Sequence, residues 1–294
     1  MLAEVWQYLT TPCPSHARRT GHLHETIALE ARAKRCRRAW RDHVRACHAT
    51  ILDAVATCDR RRHVMVLGSG PLTDLPIDRL MERFDRIDLV DIVHPLRIVR
   101  RFSGDRRVRL HRLDLSGTLA PLVQSNRRAP LPEPSSQLPV LTDRAPDLVI
   151  SLNLLSQLAI LPVRYACRVH KVTETLALPW AQAIVRAHLH ALASTPSCVC
   201  LITDVRAEYR DRQQRVELSD DLLYGQALPT PARTWPWLVA PRGELRRGES
   251  VQHQVWSWPR LPKAELESLL QQPCVTHRVH ATVHAAKRHH AAHR

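Results

Sequence analysis

No run of about 18 to 20 consecutive apolar residues occurs in this chain, which excludes a membrane-spanning helix. The opening residues, MLAEVWQYLTTPCPSH, lack a charged start followed by an apolar core, so no secretory signal is expected. None of the eight cysteines stands in a Cys-x-x-Cys pair, and Cys198 and Cys200 alternate as they would along a strand. A disulfide framework is therefore not expected; free thiols in a reducing cytosol are. Aromatic residues make up only 4% of the chain, too few for an evident base-stacking platform.

What is abundant is positive charge. The formal net charge is +15, and twelve of the 43 Lys and Arg residues precede His63, many in ARAKRCRRAWRDHVR. Such an excess can mark a polyanion partner, because neutralising phosphates releases counterions. However, Trp40, Val44, Cys47, Ile51, Val55 and Cys58 recur at spacings of 4, 3, 4, 4 and 3, one apolar helical stripe with the arginines on the wet side. A nucleic-acid partner stays open without being favoured. With 294 residues, the chain can bury the core of one α/β domain of about 200 residues plus additions.

The segment HVMVLGSGPLTDLPIDRLMERFDRIDLVD, His63 to Asp91, carries the strongest local signal. Val64 to Leu67 is a short apolar run of the kind covered on both faces of a sheet. Gly68 and Gly70 leave the backbone free to turn and to approach a ligand. Leu75, Ile77, Leu80, Met81 and Phe84 then recur at helical spacing, and Ile87 to Val90 reads as the next strand. Asp91 ends it, 21 residues after Gly70, where a carboxylate can accept both ribose hydroxyls of an adenosine ligand. A third glycine at Thr73, required by the dinucleotide pattern, is absent.

The rhythm continues. Val93 to Phe102 predicts a basic amphipathic helix, Val108 to Leu113 a third strand ending at Asp114, and Asp147 to Leu152 a fourth followed by Asn153. The intervening QSNRRAPLPEPSSQLPVLTDRAP, with five prolines, predicts a surface insertion rather than a helix. Tyr165 to Ala193 predicts a long helical region, broken at Pro179, that packs on the sheet or, as a second option, walls a substrate cleft. Cys198 to Thr203 is a fifth strand ending at Asp204. Trp235 to Ala240 and Val251 to Trp258 form a closing strand pair.

Five strands alternating with helices and then a strand pair resemble the class I S-adenosylmethionine-dependent methyltransferases, over roughly Ile51 to Arg260. The implied fold is a doubly wound, seven-stranded Rossmann-like sheet with an N-terminal helical extension. The expected division is an extension at 1–62, an α/β domain at 63–260 with a Pro-rich insertion at 124–146, and a C-terminal helix with a basic, histidine-rich tail at 261–294.

The resemblance implies S-adenosylmethionine as cofactor. Gly68, Ser69 and Gly70 would lie against its methionine part, Asp91 on the ribose, Asp114 at the adenine amino group and Asn153 beside the sulfonium and acceptor. From the residues alone, Asp114 also reads as a helix N-cap, and Asn153 as a cap for a helix over Leu154 to Ile160.

Two departures stand out. Val66 occupies the position where the family usually has an acidic residue, and Leu72 that of the third glycine. Asp74 is a candidate for the missing carboxylate, and a non-catalytic protein on the same fold is one alternative. A nicotinamide-binding oxidoreductase is another. Strand order separates it, because a methyltransferase sheet inserts its last strand antiparallel.

Methyl transfer from a sulfonium requires alignment and exclusion of water, and a base only when the acceptor must lose a proton early, so no catalytic residue is assigned. The [DNS]-Pro-Pro-Tyr signature of amino-group methylation is absent after the fourth strand, where Ser151-Leu152-Asn153-Leu154 stands. The only Pro-Cys pairs, Pro12-Cys13 and Pro273-Cys274, lie at the ends of the chain. The acceptor is unassigned, with a small molecule ahead of RNA or protein. His277, His280 and His284 would share a face if the tail were helical, but it is basic and terminal, and no metal is needed by this chemistry.

Overall fold

The structure is a computed structural model that describes residues 2–245 and 248–274. The histidines of the tail lie outside the described residues. Four helices come first: α1 (Leu2–Thr10), α2 (Ser15–Thr20), α3 (His22–Arg35) and α4 (Arg41–Ala56). The alternating part follows as β1 (His63–Leu67), α5 (Ile77–Met81), β2 (Arg86–Asp91), α6 (Leu96–Phe102), β3 (Val108–Arg112), α7 (Leu119–Gln124) and β4 (Leu148–Leu152). Then come α8 (Ile160–Tyr165), α9 (Glu174–Ser194), β5 (Cys198–Arg210), β6 (Val216–Asp221), β7 (Arg233–Ala240), β8 (Ser250–Trp258) and α10 (Lys263–Leu270).

The strands form one sheet in the order β3-β2-β1-β4-β5-β8-β7, with β6 added along β5. β1 to β5 are parallel, whereas β8 runs antiparallel between β5 and β7. The seven predicted strands are all present. The eighth, β6, pairs antiparallel with Arg206 to Arg210, because β5 continues well beyond Thr203.

The strands' alternation divides the core into two layers. Val64, Val66, Ile87, Leu89, Ile150 and Cys200 face α4, α5 and α6, while Met65, Leu67, Val90, Val149 and Leu201 face α7, α8, α9 and α10. The stripe on α4 is as expected: Trp40, Cys47, Ile51, Val55 and Cys58 are buried, while Arg37, Arg38, Arg41 and Arg45 are exposed. The basic run spans the end of α3 and the start of α4. All eight cysteines are free thiols.

Two helices differ from expectation. α5 is short, because Pro76 delays its start and the chain turns again before Phe84, although Leu75, Ile77, Leu80 and Phe84 are all buried. The long helical region breaks not at Pro179 but at residues 171–173, where Lys171 is left-handed at φ 61°. Pro179 is tolerated inside α9, where it forfeits one backbone bond near the helix start. The Pro-rich segment is irregular and strapped down: Trp180 Nε1 donates to Pro132 O (2.8 Å), and Leu131, Leu138 and Leu141 pack on the core.

Candidate functional site

A cavity of about 280 Å³ opens at the carboxyl ends of the parallel strands, where open α/β sheets place their ligands. All six predicted residues, Gly68, Ser69, Gly70, Asp91, Asp114 and Asn153, line it.

Gly68 holds φ +76°, and a Cβ there would fall 2.8 Å from Leu154 Cβ and 2.9 Å from Leu152 O, so only glycine fits. Gly70 holds φ +48° and donates its N–H to Asp91 Oδ2 at 2.7 Å. Asp91 Oδ1 accepts from Ile92 N at 2.7 Å. The carboxylate at the end of β2 thus braces the glycine loop as well as lining the cavity. Leu72, in place of the third glycine, still adopts φ 60°, so the loop keeps a left-handed turn at a residue that pays steric strain for it. Val66 is fully buried in the layer facing α4.

Asp114 serves as a cap: Oδ2 accepts from Leu119 N (2.8 Å), and Oδ1 from Ser116 N (2.9 Å) and Ser116 Oγ (2.6 Å). It faces the cavity beside His22, which burial pushes down to about 4 against the opposing pull of Asp114 and Glu25.

Asn153 does not cap a helix with its side chain. It sits at φ 48°, a left-handed conformation that asparagine tolerates better than most residues. Its amide Nδ2 donates to Asp74 Oδ2 (3.0 Å) and lies 3.3 Å from His43 Nε2. Asp74, on the loop before α5, also lines the cavity.

The roof comes from α3, through His22, Glu25, Thr26, Leu29 and Arg32. Arg97 ties it down by pairing with Glu30 on α3 and donating to Pro71 O in the glycine loop (2.6 Å). Arg164 on α8 pairs with Glu25 at 2.9 Å. α9 packs on the sheet and contributes nothing to the cavity wall, in line with the plainer of its two readings.

The far wall holds residues to which the sequence assigned no role. Asp204 on β5 accepts from Ser156 Oγ and lies 2.6 Å from His253 Nδ1 on β8. Burial opposes ionisation of Asp204, but the hydrogen bonds from His253 and Ser156 outweigh it and hold the carboxyl below its ordinary value. Trp237 meets the His253 ring edge-on, with centroids 5.9 Å apart, and stacks on His43 at 4.0 Å. Only the alternation of VQHQVWSW, which turns His253 inward with Val251 and Val255, could have signalled this wall.

Six buried polar atoms on residues lining this one cavity have no hydrogen-bond partner among the described residues: Ser69 Oγ, Asp74 Oδ1, Asn153 Oδ1, Arg164 Nε, Trp237 Nε1 and His253 Nε2. Buried polar groups are ordinarily paired, so their convergence makes this cavity the candidate ligand site. Among the described residues no group of three or more His, Cys, Asp or Glu is placed to hold a metal.

The insertion of β8 antiparallel between β5 and β7, beside five parallel strands, decides the architecture. This is the class I methyltransferase fold.

No family model and no curated protein matches the sequence. Among solved structures, the chain is similar to N-methyltransferase NodS from Bradyrhizobium japonicum WM9 in complex with S-adenosyl-l-homocysteine, with 13% identity over 74% of this chain and 87% of that one and a TM-score of 0.33. A DhpI-SAM-HEP complex shares 14% identity over 88% and 90%, with a TM-score of 0.35. Burkholderia thailandensis 1,6-didemethyltoxoflavin-N1-methyltransferase shares 15% over 80% and 89%, with a TM-score of 0.34.

Proposed function

We propose that this protein is a methyltransferase that binds S-adenosylmethionine in the cavity above the glycine loop. The observation that carries the reading is the inserted antiparallel β8, in a sheet whose carboxyl edge gathers Gly68, Gly70, Asp91 and Asp114 around one cavity.

The unpartnered atoms fit that cofactor. Asp74 Oδ1 and Asn153 Oδ1 are acceptors beside the glycine loop, placed to receive an ammonium group. Asp74 would thereby replace the acidic residue that Val66 displaces. The same carboxylate disfavours a dinucleotide, whose pyrophosphate would be repelled at this loop. Asp91 and Asp114 keep lone pairs free, after bracing the backbone, for ribose hydroxyls and an adenine amino group.

When bound, S-adenosylmethionine supplies an electrophilic methyl group on a sulfonium. The chain's own part is to align the acceptor, exclude water beneath the α3 roof and hold the loop. A small-molecule acceptor suits a cavity of about 280 Å³ better than RNA or a protein does.

Calorimetry with S-adenosylhomocysteine and NAD(H) side by side tests the reading, with binding expected only for the first. Asp91→Ala should cost about 1.5–3 kcal/mol of that binding, the scale of hydrogen bonds to a charged group. Affinity equal to wild type in a folded variant would remove Asp91 from the site.

A further inference from the structure

We infer that His253 is the general base of this site, positioned by Asp204, and that the acceptor presents a hydroxyl on a flat aromatic ring. The inference rests on the methyl-transfer reading above.

The geometry fixes the tautomer of His253. Asp204 Oδ2 lies 2.6 Å from Nδ1, and an ionised carboxylate only accepts, so Nδ1 carries the hydrogen. In the neutral ring, Nε2 then keeps a free lone pair. That atom is buried in the cavity wall and has no partner among the described residues, while the residue as a whole is only 7% exposed. Ser156 Oγ donates to the other Asp204 oxygen and so fixes the carboxylate in turn. The pairing register between β5 and β8 shifts between Asp204 and Arg206, and such bulges re-aim side chains beside active sites.

The surroundings describe what would meet it. Trp237 stands edge-on to His253, and its own Nε1 is also buried without a partner. Its face is fixed by His43, stacked at 4.0 Å and 7°, whose Nδ1 accepts from Trp235 Nε1 at 3.0 Å. Trp40 and Val239 continue the wall. A wall of aromatic and aliphatic side chains with one acceptor nitrogen and one N–H donor suits an aromatic ring with a hydroxyl toward His253 and a second oxygen toward Trp237.

In the transfer, the acceptor's O–H proton passes to His253 Nε2, and the freed electron pair forms the O–CH3 bond. The C–S pair remains on sulfur as a neutral thioether. Asp204 stabilises the imidazolium until its proton returns to solvent.

The test uses 4-nitrophenol as the acceptor surrogate and 4-nitroanisole, which has no proton to give, as control. Binding to the full chain with S-adenosylhomocysteine present is followed by absorbance. We expect saturable 4-nitrophenol binding, about tenfold or more tighter than 4-nitroanisole, with that preference abolished in His253→Gln. No saturable 4-nitrophenol binding, or equal affinity for the two, overturns the inference.

Nitrogen-15 NMR of the wild-type histidines needs no variant: His253 should carry its proton on Nδ1, and Asp204→Asn should change that signature. A proton on Nε2 in the wild type also overturns the inference. S-adenosylhomocysteine calorimetry without any phenol reports separately on the cofactor. Failure there defeats the methyltransferase reading, whereas failure of the phenol or NMR arms alone defeats only the role of His253.

Discussion

Asn153 Nδ2 donates to Asp74 Oδ2 across 3.0 Å, joining the end of β4 to the loop that follows β1. The pair closes the cavity between the two central strands and leaves the second oxygen of Asp74, Oδ1, and the amide oxygen of Asn153, Oδ1, unpartnered among the described residues at the wall.

Asn153→Asp should therefore be far from neutral. It sets two carboxylates within hydrogen-bond distance, and one must take a folded-state pKa above its unfolded value. Such a group supports the fold below its unfolded pKa and loses that support as pH rises through the folded one. The variant should match wild-type melting near pH 4, fall below it at pH 8, and bind S-adenosylhomocysteine weakly at the higher pH. Thermal melts across that range check it, and parallel curves would show that the two side chains do not meet.

The two glycines of the loop should tolerate alanine differently. Gly68→Ala meets Leu154 and the Leu152 carbonyl below 3.0 Å and also carries the left-handed penalty. Gly70→Ala meets no atom closer than 4.0 Å, so it should lose only the conformational part, about 1–2 kcal/mol. Urea unfolding should rank Gly68→Ala clearly less stable; equal losses would contradict the close approach of Leu154.

His188 predicts a pH-dependent contribution to stability in mildly acidic solution. It is fully buried against Ser151 Oγ (3.0 Å), and burial pushes it down to about 4 from 6.5. The unfolded chain takes up this proton first, so the contribution is complete above about pH 6.5 and is lost as pH falls toward 4, at up to about 1.4 kcal/mol per pH unit. Urea midpoints between pH 7 and 5 should fall less steeply in His188→Gln, which does not titrate. An unchanged slope would mean that His188 is not held neutral.

The basic N-terminal helices predict weak retention on RNA or DNA that vanishes at moderate salt. Arg37, Arg38 and Arg41 lie on the wet side of the α4 stripe, and Arg35 is engaged with Glu244 at 2.8 Å. A steep salt dependence, lost when all four are neutralised, would instead assign a nucleic-acid partner.

By itself the sequence determined what is local. Two-residue and helical periodicities name the strands and most helices; a Gly-x-Gly after an apolar strand marks the loop. Acidic residues at the ends of β2 and β3 mark its rim, because each signal is set by neighbours along the chain. The tertiary structure alone decided the pairings between distant segments. β6 and the outer half of β5 carry polar residues whose strand character comes from their partners, and α3 becomes a roof through pairs with distant segments, Glu30 with Arg97 and Glu25 with Arg164. Asp74 meets Asn153 across 79 positions, and Asp204 meets His253 across 49. Sheet order and register bring such pairs together, and neither is encoded in the residues beside them.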